Sequence, residues 1–178
     1  MQPQDALIDL DFAFRQLEFT IKLLSFCELG QINPSEFDTD HIVELGNERL
    51  HFPRGKFSDK ISLEQAPGTS VLIAMSASAF VLDDTFKAFG IRPNPDAVDN
   101  DGQLRALVYM VRCAYAHGIA APLWEVRNKY LRNFSINLGG GSLSLDLRPL
   151  HGLPFDIGQL GGYANWYRIR DSALRLLK

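Results

Sequence analysis

The chain has 178 residues, 46% of them apolar and 11% aromatic, with a formal net charge of −3. That composition excludes intrinsic disorder and supplies a packed core, and the length suits one domain better than two. Charge is uneven: residues 1–100 hold 8 Lys/Arg against 16 Asp/Glu, whereas residues 101–178 hold 10 against 5, so a basic surface for a polyanion is compatible with an acidic whole.

No apolar run reads as long enough for a membrane span, and no basic leader precedes an apolar block at the N-terminus, so neither a membrane nor a signal peptide is expected. Cytoplasmic placement follows by default. Cys27 and Cys113 stand alone, without a CxxC or paired histidines. Reduced thiols and no metal site are expected.

In chain order, residues 6–29 read as a long helix. Leu7, Leu10, Phe14, Leu17, Ile21 and Leu24 step by three and four, and Phe12, Phe19 and Phe26 form a second stripe seven apart. So wide an apolar face predicts packing on two sides, and Gly30 is a plausible stop. Asn33-Pro34-Ser35-Glu36 predicts a helix entry with Ser35 as the N-cap, running to about Leu45. Residues 47–66 show no period and read as loop.

Residues 68–90 form the next helix, with Leu72, Met75, Ala79, Leu82, Phe86 and Phe89 on its apolar stripe. Asp83 and Asp84 fall off that stripe and point different ways, so a solvated face or a salt bridge suits them better than metal work. A third helix, capped by Asp99, Asn100 or Asp101, runs to about His117. It buries Leu104, Leu107, Val108 and Val111.

The period then changes to two. Phe134, Ile136 and Leu138, a glycine triplet at 139–141, and Leu143, Leu145 and Leu147 spell a β-hairpin within about 130–148. No lysine–serine pair or helix follows the glycines, which argues against a phosphate loop. Residues 156–177 close the chain as a helix that Gly161-Gly162 can delay, with Leu160, Tyr163, Tyr167, Leu174 and Leu177 buried. The histidines His41, His51 and His151 lack ligand spacing. Trp124 and Trp166 read as core or interface anchors.

The segment Val111-Arg112-Cys113-Ala114-Tyr115-Ala116-His117-Gly118 reads either as a plain helix end, with His117 near the C-terminus and Gly118 as its C′ residue, or as a minimal kit for cutting a phosphodiester without metal. Arginine forks onto phosphate, and histidine exchanges protons near neutral pH. Five positions apart, the two side chains diverge by about 140° on an ideal helix. They converge if the helix ends near Ala116, with Gly118 as a left-handed C′ residue, or if a second copy supplies the partner. Cys113 and His117 share a helix face, which also makes a thiol–imidazole pair conceivable.

This order of helices, an Arg-x-x-x-x-His ending, a β-hairpin and a last helix resembles the HEPN superfamily, the "higher eukaryotes and prokaryotes nucleotide-binding" domains. Arg112 and His117 match its motif, and Ala121-Pro122-Leu123-Trp124-Glu125-Val126 with Leu160-Gly161-Gly162 resembles an uncharacterised bacterial branch. The likeness spans residues 5–177. It implies a mainly α, antiparallel helical bundle over 1–178 with a β-hairpin insert, pairing as a homodimer with two motifs in one cleft.

The resemblance further implies a metal-independent endoribonuclease, with Arg112 and His117 catalytic, Cys113 and Tyr115 supporting, and no cofactor. The family usually has Asn where this chain has Cys113. The alternative is a catalytically silent binding or assembly module, working with an antitoxin or another protein partner.

Overall fold

The computed structural model describes residues 2–177. The chain is mainly helical, with two small two-stranded sheets. Two compact units divide it. One comprises Met1–Ala13 with Met75–Lys178, and the other Phe14–Ala74.

The helices are α1 (Pro3–Glu28), α2 (Pro34–Phe37), α3 (Lys60–Ala88), α4 (Asn100–Ala114) and α5 (Tyr163–Leu176). The strands are β1 (His41–Leu45), β2 (Glu48–Phe52), β3 (Asn133–Asn137) and β4 (Ser142–Asp146). α1 buries Leu10, Phe14 and Leu17 of the predicted stripe together with Ala6, whereas Leu7, Ile21 and Leu24 are half-buried. It stops at Gly30, whose φ of 67° lets the Gly30 and Gln31 amides reach back to the Cys27 and Phe26 carbonyls. Packing on two sides is not observed. Phe12, Phe19 and Phe26 are 62%, 59% and 51% exposed.

Residues 31–66 differ most from expectation. The N-cap is Asn33 rather than Ser35: Asn33 Oδ1 accepts from the Ser35 amide at 3.1 Å. The helix lasts one turn, and residues 41–52 then form an antiparallel hairpin. Positive φ at Gly46 alone in the two-residue turn is the pattern of a II′ hairpin. Every strand residue except Val43 is exposed, so no buried face left a period of two in the sequence.

α3 begins at Lys60, eight residues before the predicted start, because Asp59 caps it by accepting from the Ser62 amide at 2.9 Å. Pro67 and Gly68 lie inside the helix. Pro67 removes one backbone donor, and the helix continues through it. By length and composition α3 is the one helix among the described residues able to cross a membrane, contrary to expectation. Its most apolar window is already 44% buried within the protein.

In the unit that holds the Arg/His motif, the second half of α3 buries Met75, Ala79, Leu82 and Phe86. Thr85 Oγ1 donates to the Ala6 carbonyl at 3.2 Å and ties α3 to the start of α1. α4 buries Leu104, Leu107, Val108 and Val111 as predicted. The β3–β4 hairpin pairs Phe134 with Leu145 and Ile136 with Leu143, all buried, around a turn containing the glycine triplet. α4 satisfies the free edge of β3: Asn100 Oδ1 accepts from the Asn137 amide at 2.7 Å, and Gln103 Oε1 from the Ser135 amide at 2.9 Å.

A short 3-10 turn, Ile157–Leu160, precedes Gly161 and Gly162, both with positive φ, and α5 starts after them. Its buried side is Trp166, Ile169, Ser172 and Ala173. Tyr163, Tyr167 and Leu174 are only half-buried, so the predicted face is rotated by part of a turn. The Trp166 and Trp124 side chains are fully buried, as core anchors.

Candidate functional site

α4 is fixed at its start by Asp99, whose Oδ1 accepts from the Gly102 amide at 2.6 Å. Gly102 is required there, because a Cβ would collide with that of Ala97. The other end sets the motif. α4 stops at Ala114, three residues before His117, and does not use a left-handed glycine. Gly118 has no positive φ. The last turn tightens instead, as the Tyr115 and Ala116 amides donate to the Arg112 and Cys113 carbonyls. The chain then returns, with the Leu123 amide donating to the Ala114 carbonyl at 3.0 Å.

This early ending brings Arg112, Cys113 and His117 to one cleft of about 100 Å3, together with Tyr109, Glu125, Arg127 and Tyr130. Tyr115 is not among them. Its ring turns into the core, 5.3 Å from Phe155, and burial pushes its phenol well above the ordinary tyrosine range. The structure therefore places Tyr115 in the core and outside the cleft lining. The cleft is smaller than the roughly 300–1,000 Å3 of drug-sized pockets.

His117 is 68% exposed on its side chain, and its Nε2 lies 2.9 Å from Glu125 Oε2. The pair is exposed on both sides, and the carboxylate sits within ion-pair reach of the imidazole. Arg112 is 32% exposed. Its guanidinium carbon lies 4.8 Å from the centre of the Phe80 ring, and its Nε is 4.0 Å from Asp83 Oδ2. The stacking and the distant carboxylate hold Arg112 as a rigid fork, with part of it still open to a ligand.

Behind Arg112 sits a buried ion network. Asp83 is fully buried. Its Oδ1 accepts from Arg105 Nη1 at 2.7 Å, and its Oδ2 lies 2.6 Å from Lys87 Nζ. Arg105 also donates from Nε to the Ile91 carbonyl at 3.0 Å and stacks on Phe86. Of the two readings of the aspartate pair, the salt bridge holds for both. The solvated face holds only for Asp84, which pairs with Lys87 at 2.8 Å.

On the other side of the cleft, Tyr109 lies beside Cys113, and that neighbouring thiol together with burial raises the Tyr109 phenol. The Tyr109 and Tyr130 rings lie 5.6 Å apart, and burial together with Tyr109 raises Tyr130. Cys113 and His117, expected on one helix face, line the same cleft.

Sequence reasoning missed Tyr109, Glu125, Arg127 and Tyr130. Tyr109 was within reach, because it precedes Arg112 by three and Cys113 by four and so lies on their helix face. Glu125 and Arg127 follow the helix in an irregular segment, where no period announces which side chains face inward. Among the described residues no group of three or more His, Cys, Asp or Glu is arranged to hold a metal. His151 Nδ1 accepts from the Val126 amide at 3.2 Å and supports the segment carrying Glu125. Comparison with known families, curated proteins and solved structures finds no match.

Proposed function

We propose that the protein is a metal-independent endoribonuclease of the HEPN kind, with Arg112 and His117 at a cleft that a second copy of the chain completes. The observation that carries this reading is the 2.9 Å pairing of His117 with Glu125 in a cleft shared with Arg112. An exchangeable proton site, a carboxylate to orient it and a fixed cation are what phosphodiester transesterification needs.

In that reaction His117 takes the proton from a ribose 2′-OH. The 2′-oxygen attacks the adjacent phosphorus, the P–O5′ bond breaks, and the protonated His117 returns the proton to the departing 5′-oxygen. The products are a 2′,3′-cyclic phosphate and a 5′-hydroxyl. Arg112 holds the non-bridging oxygens while charge builds on them, and Arg127 adds a second cation at the rim. The nucleophile is tethered to its own phosphate, so proximity supplies much of the acceleration. DNA lacks the hydroxyl and is spared.

The test is chelator-treated protein against a mixed RNA pool, with DNA of the same sequences as control. Cleavage to cyclic or 3′ phosphate ends is expected. His117→Ala lowers the rate by about a hundredfold or more, and Arg112→Lys lowers it because a point charge does not replace a fork.

The second reading is a catalytically silent HEPN-like binding or assembly module, bound to RNA or to an antitoxin-like protein. It is favoured by the stacking of Arg112 on Phe80 and by the Tyr109–Cys113 contact at the position where the family usually has an amide. Absence of cleavage by both the natural chain and Cys113→Asn would select it over the nuclease.

A further inference from the structure

A second cavity, in the unit formed by residues 14–74, shares no lining residue with the Arg/His cleft, and nothing in the proposed nuclease chemistry uses it. It encloses about 370 Å3, within the roughly 300–1,000 Å3 of small-molecule sites. The β1–β2 hairpin forms one wall. His41 pairs with Phe52 in register, and Val43 lies two residues along β1, so all three stand on one face. Phe37 of α2 and Phe57 form another wall, with ring centres 5.7 Å apart and planes at 68°.

The segment joining the walls is pinned. The Arg54 amide donates to Asp40 Oδ1 at 3.1 Å, and the Gly55 amide to Asp38 Oδ2 at 2.7 Å. Gly55 takes a φ of 106°, which a residue with a side chain resists. That turn delivers Lys56 to the cavity lining, where it has no ion pair or hydrogen bond among the described residues. Asp38, the one carboxylate in the lining, has an oxygen occupied by Gly55.

Three phenylalanine rings beside one unpaired ammonium describe a ligand with a flat apolar body and one negative charge. Edge-to-face packing on Phe37, Phe52 and Phe57 favours an aromatic body over an aliphatic one. The fixed Asp38 carboxylate disfavours a second anionic group. We propose that this cavity binds an aromatic monocarboxylate, its ring among Phe37, Phe52 and Phe57 and its carboxylate on Lys56.

The experiment titrates the full chain with 2-naphthoate and, separately, with the isosteric neutral 2-naphthamide, reading backbone amide shifts by NMR. Naphthoate is expected to saturate, to shift the amides of residues 37–57, and to bind more tightly than the amide. Lys56→Met is expected to weaken naphthoate about fivefold, the upper range for an exposed charge pair, and to leave naphthamide unchanged. Phe52→Ala weakens both. Both substitutions fall at exposed positions, and an unchanged amide spectrum elsewhere verifies the fold. Equal binding of the two probes, an unaltered naphthoate affinity in Lys56→Met, shifts confined to other residues, or no saturable binding would each overturn the proposal. Since the cavity is remote in sequence from Arg112 and His117, RNA cleavage by the same protein is read independently.

Discussion

Glu125 touches the proposed chemistry only through His117. It is a positioning residue, and its effect is therefore conditional on the imidazole. A double-mutant cycle reads this directly. Glu125→Gln alone is expected to slow RNA cleavage, whereas in a His117→Ala background it changes nothing further. Equal losses in both backgrounds would show that Glu125 acts on the RNA itself.

Asp83 belongs to the same neighbourhood but carries stability. Asp83→Ala leaves the fully buried Arg105 charge without its 2.7 Å partner. Removing one side of a buried pair costs about 3–5 kcal/mol, and urea unfolding should show a loss of that size. Tyr115 contributes to the stability profile on the alkaline side. Burial raises its phenol in the folded state, so folding favours the protonated form. Its contribution is whole below the ordinary tyrosine value of about 10 and is lost as pH rises above it. The urea midpoint should fall on that alkaline side, and Tyr115→Phe should reduce the fall. An equally steep decline in Tyr115→Phe would place the titration elsewhere.

At the scale of elements, α4 matters most because its two ends set the geometry of the cleft. Its start rests on one cap: Asp99→Ala removes the acceptor for the Gly102 amide and should cost about 1 kcal/mol, measured by thermal or urea unfolding. The Trp124 segment rests on another. Trp124 Nε1 donates to Gln159 Oε1 at 2.7 Å, and the same oxygen accepts from the Asp156 amide at 2.9 Å. Gln159→Ala strands a buried indole donor and should cost about 1–3 kcal/mol. Of these elements, α4 and the β3–β4 hairpin were legible in the sequence because each buries one face and leaves its period in the residues. The β1–β2 hairpin was not, because almost nothing in it is buried. The first turns of α3 were not legible either: Pro67 and Gly68 weaken local helix propensity there, while the buried Leu63, Val71 and Ala74 hold the helix through them.

At the scale of the whole molecule, the proposed composite cleft requires pairing. The exposed Phe12, Phe19 and Phe26 stripe on α1 is apolar surface that pairing would cover. Light scattering is expected to give twice the 20.0 kDa chain mass, and Phe19→Glu to shift the mass toward one chain. A monomer mass at every concentration would remove the composite cleft and the nuclease reading with it.

The mainly helical class, the long α1, α3 and α4, the late hairpin and the delayed start of α5 were determined by the sequence alone. Periods of 3.6 and 2, and glycines that take positive φ, act within a few neighbouring residues. The tertiary structure alone decided that Asp83 is buried, since its partner Arg105 lies 22 positions away. It also decided that α4 ends at Ala114, so that Arg112 and His117 meet one cleft, and that Glu125 rather than Tyr115 supports the histidine. An ion pair or a turned-in ring depends on which distant segment arrives beside it, and no local pattern of residues encodes that arrival.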